Sequence, residues 1–162
     1  LVTGLQMGQA ATFQQIGHNE TGFTILADIV HLHDPRMFQA GDAARFGMMI
    51  RDRGEFAGQQ VIPAQWVDAT LEVGDKLKAT MAANPKYGAG PWVAYHNMWW
   101  ILDERAGEYC AVGIHGQVIY INRSTDTVMV WFSSQPGASA ARNVNFRSKL
   151  KAARTLAKHL KG

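Results

Sequence analysis

The sequence predicts an α+β domain in which helices flank one antiparallel sheet of three to five strands. Short apolar runs separated by turn residues fill residues 92–134, as in a series of hairpin-connected strands. Helical patterns precede this region within residues 42–69, and a further helical pattern follows it in residues 140–161. We therefore expect one domain over residues 1–162, with residues 1–91 forming mainly helix and loop.

The composition is that of a globular chain of ordinary size. It has 162 residues, of which 47% are apolar and 18% charged, enough to bury a hydrophobic core. No apolar run reaches the roughly 18 residues that a membrane-spanning helix needs, so we expect no membrane partner. No signal-peptide pattern opens the chain, which favours the cytoplasm without fixing the compartment. The sequence begins at Leu1 without a methionine, as expected of a portion of a longer protein.

The N-terminal residues carry weak structural signals. Residues 1–24 are rich in Gly, Gln and Thr and are interpreted as irregular chain, while residues 25–34 fit a short helix or a strand. In a strand, His31 and His33 would share one face, which permits two metal ligands. Beyond Asp34 no third ligand is evident, and we therefore expect no metal site.

Two helices are predicted next. The first spans Asp42 to Arg53, with a cap at Gly41-Asp42 and a stop at Gly54. The second begins at Pro63 and continues through Ala69. Residues 72–91 are interpreted as a long connection, and connections of this length often form lids over pockets.

The strand region contains a break that is unusual for a sheet core. Its sequence is Gly113-Ile114-His115-Gly116-Gln117, a histidine between glycines followed by an amide residue. We interpret this break as part of a functional site. The alternative is a bulge or tight turn with an incidental histidine. The single cysteine, Cys110, excludes an internal disulfide and a cysteine-based zinc site, and is interpreted as a small buried strand residue.

The C-terminal residues predict a basic amphipathic helix. Residues 142–162 hold seven basic residues and no acidic one. A helical stripe indicates packing on the sheet, and it consists of Phe146, Leu150, Ala153, Ala157 and Leu160. No aromatic residues alternate with the charges as in proteins that stack bases, so we interpret the basic side as a solvated face and expect no nucleic-acid partner.

Two segments carry a resemblance to a known family. Residues 44–54, ARFGMMIRDRG, and residues 58–67, GQQVIPAQWV, resemble a segment that typifies serine hydrolases of the β-lactamase-like fold. Trp99-Trp100, residues 113–121 and residues 126–130 look like the C-terminal strands of the same family. Within it the chain most resembles the 6-aminohexanoate-dimer hydrolase and esterase branch, alongside class C β-lactamases and penicillin-binding proteins. The likeness covers about residues 42–134 and implies the C-terminal part of a β-lactamase-like fold.

The resemblance implies acyl-transfer chemistry. The family uses a Ser-x-x-Lys pair, then a tyrosine motif, then a strand motif that supplies electrostatics and an oxyanion-hole amide. His115-Gly116-Gln117 resembles the family's Lys/His–Ser/Thr/Gly–Gly motif, with His115 in the cationic position and Gln117 where glycine is usual. If the motif is aligned two residues earlier, Gly113 takes the glycine position and the Ile114 amide faces the oxyanion hole.

The remaining family motifs occur only at positions that break the family's order along the chain. They are Ser148-x-x-Lys151, Thr155-x-x-Lys158, Tyr95-x-Asn97 and Tyr120-x-Asn122. The resemblance therefore implies the C-terminal portion of a serine hydrolase that lacks its nucleophile and is inactive alone. No cofactor is expected, and the substrate of the complete protein would be a small amide or ester.

The alternative is a non-catalytic binding or scaffold domain of the same fold. In either case, apolar sheet residues should be exposed and favour self-association or a partner chain, with Trp99, Trp100, Val130 and Phe132 as candidates.

Overall fold

The computed structural model describes residues 13–19, 22–27, 35–133, 135–138 and 146–161. Within these ranges the elements are β1 (Phe13–Asn19), β2 (Gly22–Ala27), α1 (Pro35–Arg51), β3 (Glu55–Phe56), β4 (Gln59–Gln60), α2 (Ala64–Leu71), α3 (Asp75–Ala82), β5 (Ala94–His96), β6 (Trp99–Asp103), β7 (Glu108–Val112), β8 (Val118–Asn122), β9 (Thr127–Trp131) and α4 (Phe146–Lys161).

The main sheet confirms the α+β prediction. Its strand order is β1-β2-β9-β8-β7-β6-β5, and β3 and β4 form a separate two-stranded hairpin. Strands β5 to β9 pair antiparallel, each with its neighbour in sequence, as the hairpin pattern predicts. The turns predicted after β6 and β8 are present, with Gly107 N donating to Glu104 O (3.3 Å) and Asn122 capping Thr125 N.

Two strands, β1 and β2, extend the sheet beyond the three to five strands that the sequence predicts. The sequence indicated irregular chain over residues 1–24, yet Phe13–Asn19 form β1 and the first half of β2 also lies in this region. The second half of β2 falls in the segment that the sequence predicted as a short helix or a strand. Strand β2 pairs parallel to β9, from Phe23 opposite Thr127 to Leu26 opposite Val130. Because β9 lies about a hundred residues from β2 in sequence, no hairpin pattern predicts that the two strands pair.

Alternate residues of the strands face two separate cores. One face packs under α1 and α2, and its buried residues are Ile50, Val67, Trp99, Ile101, Tyr109, Ile121 and Val128. The opposite face packs against α4, and its buried residues include Cys110, Tyr120, Met129, Phe146, Leu150, Ala153 and Ala157. Helices therefore cover both faces of the sheet, which explains why its strands are apolar along their whole length.

The predicted helices are present with shifted boundaries. Helix α1 begins at Pro35, so Asp42 is an interior residue that pairs with Arg45 (2.8 Å) rather than a cap. Gly54 follows its end with φ 87°, and a Cβ there would lie 2.1 Å from the Ile62 carbonyl oxygen. Only glycine fits this turn. Helix α2 starts directly after Pro63, as predicted.

The prediction of one long connection over residues 72–91 is wrong, because α3 lies within it. The segment contains good helix formers and an acidic residue, Asp75, in its first turn, which the helix dipole favours. No residue of α3 is buried, so the apolar periodicity that predicts helices is weak here. Helix α4 confirms the C-terminal stripe: Phe146, Leu150, Ala153 and Ala157 are all buried.

The predicted exposure of Trp99 and Val130 is wrong. Trp99 is 4% exposed because Phe46 of α1 stacks on it, and Val130 is 2% exposed beneath Ala44. Trp100 and Phe132 are half-buried, and Trp100 lies among aromatic rings, 4.4 Å from the ring of Trp92. The large apolar residues that are exposed lie elsewhere, and they include Val61 (58%), Trp66 (47%) and Met98 (76%).

A search of the described helices finds none with the length and apolar character to cross a membrane.

Candidate functional site

The segment Gly113–Gln117 forms the connection between β7 and β8. Residues Ile114–Gly116 make a tight turn, and Gly113 N donates to Gln117 O (2.9 Å) at its base. Both β7 and β8 are interior strands of the sheet. The motif therefore lies in the connection at the end of two central strands, not within a strand.

The backbone of this turn adopts an uncommon conformation. His115 has φ 57° and ψ 21°, in the left-handed region, and Gly116 follows with φ 83°. Glycine adopts such angles freely, whereas a histidine there is strained by about 1 kcal/mol or more. Five other non-glycine residues of the described chain, all in turns, also have positive φ, so this conformation identifies a tight turn whose backbone the surrounding contacts must hold.

Hydrogen bonds with Ser133, Gln135 and Ala138 hold His115 in place. The carbonyl oxygen of His115 accepts from Ser133 Oγ (2.8 Å) and from Gln135 N (3.2 Å), while His115 N donates to Ala138 O (3.4 Å). Lys149 Nζ, from α4, donates to the next carbonyl, Gly116 O, at 2.9 Å, and to Ser133 Oγ at 3.3 Å. The turn is thus bound on its backbone by two other parts of the chain.

The ring of His115 is held through one nitrogen. Nδ1 lies 2.8 Å from the carbonyl oxygen of Gln135. A carbonyl oxygen only accepts, so the proton of the neutral imidazole is assigned to Nδ1. Nε2 is left as the second functional atom of the ring, and no group in the described part of the chain bonds to it.

The turn also contains an exposed residue, Ile114, whose amide has no partner among the described residues. The exposed fraction of Ile114 is 62%. Gln117 N, by contrast, donates back to Ile114 O (3.4 Å) within the turn. A free amide beside an imidazole is an arrangement that can stabilise a developing oxyanion.

Comparisons with known proteins show that this chain is similar to a group of hydrolases. No family model matches the chain. Over 97 residues it is 34% identical to the 6-aminohexanoate-dimer hydrolase of Paenarthrobacter ureafaciens, covering 60% of this chain and 24% of that protein. This chain is related to the 6-aminohexanoate-dimer hydrolases.

A solved structure agrees with this relationship. A candidate 6-aminohexanoate-dimer hydrolase from Bacillus anthracis superposes with a TM-score of 0.56 and 30% identity, over 75% of this chain and 29% of that chain. The relationship confirms the resemblance to hydrolases of the β-lactamase-like family. The chain spans about a quarter of the length of these relatives.

The residues of this chain that match the Ser-x-x-Lys pattern lie apart from the His115 turn. Ser148 and Lys151 are both exposed on α4, as are Thr155 and Lys158. Among the described residues a serine–lysine contact does exist near the turn, between Ser133 and Lys149, whose spacing in the sequence matches no family motif. There the Ser133 hydroxyl donates to the His115 carbonyl and accepts from the lysine, so its proton is directed away from any base.

The tyrosine matches have structural explanations. Tyr120 is 1% exposed and donates to Glu108 Oε1 (2.6 Å), and burial raises the pKa of its hydroxyl. Asn122 Nδ2 in turn donates to Tyr120 Oη (3.3 Å). Tyr95 is partly exposed on β5, and its hydroxyl contacts Met98 Sδ at 3.7 Å. None of these groups contacts the His115 turn.

The described residues contain no cluster of three His, Cys, Asp or Glu side chains that could hold a metal ion. His31, His33 and Asp34 lie outside the described residues, and their interpretation stays a prediction. Cys110 is buried, as predicted, and burial raises the pKa of its thiol.

Proposed function

We propose that this chain contributes one wall of an acyl-transfer site in a serine hydrolase of the β-lactamase-like family. His115 supplies a cationic or hydrogen-bonding group, and Ile114 supplies a backbone amide that stabilises the oxyanion of the tetrahedral intermediate. Gly116 and Gln117 complete the turn that holds both groups. The observation that carries the proposal is the fixed ring of His115, bonded through Nδ1 and available through Nε2.

The nucleophile forms a second part of the proposal. In this family a serine one helical turn from a lysine attacks the acyl carbon. The matching residues of this chain, Ser148 and Lys151, are exposed on α4. They follow the strand motif, whereas the family's Ser-x-x-Lys pair precedes it. We therefore propose that the chain lacks the Ser-x-x-Lys nucleophile and does not hydrolyse substrate alone.

The proposed substrate class is a small amide or ester. The name of the Paenarthrobacter relative gives a 6-aminohexanoate dimer as the substrate of that protein. An oxyanion wall serves amides and esters alike, because both pass through a tetrahedral intermediate with one negative oxygen. Neither a nucleic acid nor a membrane is part of the proposal, whereas self-association or a partner chain remains part of it.

Hydrolysis of a chromogenic ester and of the 6-aminohexanoate dimer tests the inactivity. We expect the rate with this chain to equal the rate in buffer, and His115→Ala to leave it unchanged. Turnover above buffer that is lost in Ser148→Ala would contradict the proposal and indicate a permuted site. Turnover lost in Ser133→Ala would equally contradict it, by assigning the nucleophile to Ser133.

A binding experiment tests the oxyanion wall directly. The carboxylate of 6-aminohexanoate carries negative oxygens that resemble the oxyanion, so we expect it to shift the backbone amide NMR signals of residues 114–117. His115→Ala should abolish these shifts, whereas Lys158→Met, a charge change on the exposed side of α4, should leave them intact. Shifts confined to residues outside this turn would favour the alternative of a non-catalytic binding or scaffold domain.

A further inference from the structure

A lysine from the C-terminal helix contacts the backbone of the His115 turn. Lys149 lies in the first turns of α4, next to the buried anchor residue Leu150. Its Nζ donates to Gly116 O at 2.9 Å and to Ser133 Oγ at 3.3 Å. Because α4 is fixed on the sheet through its apolar stripe, the lysine connects a rigid helix to the His115 turn.

The contacts of Lys149 close a small network around two consecutive carbonyl groups. Ser133 Oγ donates to His115 O (2.8 Å), and the adjacent carbonyl, Gly116 O, accepts from the lysine. The lysine also donates to the same Ser133 oxygen, which orients the hydroxyl proton toward His115. The carbonyl groups of the two left-handed residues, His115 and Gly116, therefore both depend on Lys149. The lysine bonds directly to Gly116 O and orients the Ser133 hydroxyl that bonds to His115 O.

The conformation of the turn requires such support. The left-handed φ of His115 is unfavourable for a side chain with a Cβ and persists only where surrounding contacts hold it. The bond from the ring to Gln135 depends on that backbone, because Gln135 N also bonds to His115 O (3.2 Å). A displacement of the His115 carbonyl should therefore also move Gln135 and weaken its bond to Nδ1 of the ring.

We propose that Lys149 is a positioning residue that holds His115 in its Nδ1-protonated form. The proposal rests on the proposed function, in which Nε2 of His115 faces the reacting group. Without the lysine, Ser133 and the turn relax, the Nδ1 bond to Gln135 weakens, and the ring reverts toward the Nε2-protonated tautomer, which occupies the nitrogen needed at the site.

The tautomer of His115 is measured by long-range ¹H–¹⁵N NMR on the labelled chain at about pH 9, where histidine side chains are ordinarily neutral. We expect protonated Nδ1 in the unaltered protein. In Lys149→Met, which keeps the length of the side chain and removes its donors, the ratio of the two tautomers should shift about three- to tenfold toward protonated Nε2, the effect of one ordinary hydrogen bond. Lys149→Arg retains donors and should restore most of the original ratio.

The matched control is Lys151→Met, two residues along the same helix on its exposed side. It removes the same charge and should leave the tautomer ratio unchanged. A lysine with only a structural role would lower the melting temperature without changing the tautomer of the folded protein. An unchanged ratio in folded Lys149→Met, or an equal change in Lys151→Met, would overturn the proposal.

Ser133→Ala gives a second test if Lys149→Met does not fold. It removes the donor to His115 O and should shift the tautomer in the same direction, and no shift would overturn the proposal. Titration with 6-aminohexanoate separates this proposal from the proposed function. A tautomer shift without any binding at residues 114–117 contradicts only the proposed function. Binding at those residues that is equally tight in Lys149→Met contradicts the role of the lysine.

Discussion

The ion pair between Glu108 and Arg154 joins α4 to the sheet, and removing its arginine gives the sharpest test of the packing. Glu108 is 3% exposed, and its two oxygens accept from Arg154 Nε (2.7 Å) and Nη2 (2.6 Å). Tyr120 donates a third hydrogen bond to Oε1 (2.6 Å). The Arg154 guanidinium beside Glu108 has a raised pKa because of these hydrogen bonds, so it is charged throughout the usual pH range.

Arg154→Met should destabilise the chain because it leaves a buried carboxylate without its counter-charge. Breaking a fully buried pair in this way costs about 3–5 kcal/mol. The Arg154 side chain is 43% exposed, so water screens part of the interaction, and Tyr120 continues to donate to the carboxylate. We therefore expect a loss of about 2–3 kcal/mol in the free energy of unfolding, or roughly 4–12 °C in melting temperature for a chain of this size.

Urea unfolding at neutral pH, followed by the fluorescence of the tryptophans near α4, measures this loss. Lys151→Met removes a cation from the exposed side of the same helix and should change stability by less than about 0.5 kcal/mol. Adding Glu108→Gln to Arg154→Met removes the unpaired charge and should recover most of the lost stability. Equal losses for Arg154→Met and Lys151→Met, or no recovery in the double variant, would refute the reasoning.

Three further predictions concern groups with shifted pKa values. Hydrogen bonding to Arg53, with Arg123 nearby, lowers the pKa of Asp68 below its ordinary 3.8. The stabilising effect of Asp68 is therefore fully present above about 3.8 and is lost as the pH falls from there through the lowered pKa of the folded state. In acid unfolding curves, Asp68→Asn should therefore lose less stability between neutral and low pH, and an equal loss would contradict this. Burial raises the pKa of Tyr109 from 10.0 to about 12, so stability should fall as pH rises between these values, and less so in Tyr109→Phe. Cys110, fully buried with a raised thiol pKa, should react with a thiol reagent only after unfolding, and rapid reaction of the folded chain would contradict its burial.

The parts of the fold that the sequence predicts are those with strong local patterns. Apolar runs and hairpin turns indicate the strands of residues 92–134, and an apolar stripe at helical spacing indicates α4. The first half of β2 was predicted as irregular chain and the second half as a short helix or a strand, because its partner, β9, is distant in sequence and pairs parallel to it. Helix α3 was missed because it buries no residue and so lacks an apolar stripe.

The candidate site likewise combines features that a local sequence pattern predicts with features that depend on distant contacts. Glycines around His115 indicate a turn with a special backbone, and the structure places one there. The supports of that turn, Ser133 and Lys149, come from separate segments and carry no spacing signal relative to the histidine. Glu108 likewise looks like an ordinary residue beside a turn until the register of β7 places it under Arg154.

The sequence by itself determined the α+β class, the hairpin strands, the amphipathic α4 and the resemblance to the hydrolase family. These features depend on residue periodicity and turn chemistry, which act over a few neighbouring residues. The tertiary structure alone decided which ring nitrogen of His115 is bonded, which lysine supports its turn and which arginine neutralises Glu108. Each of these depends on groups between 16 and 46 residues apart. Contacts over such separations follow from strand register and helix packing, which no local pattern encodes.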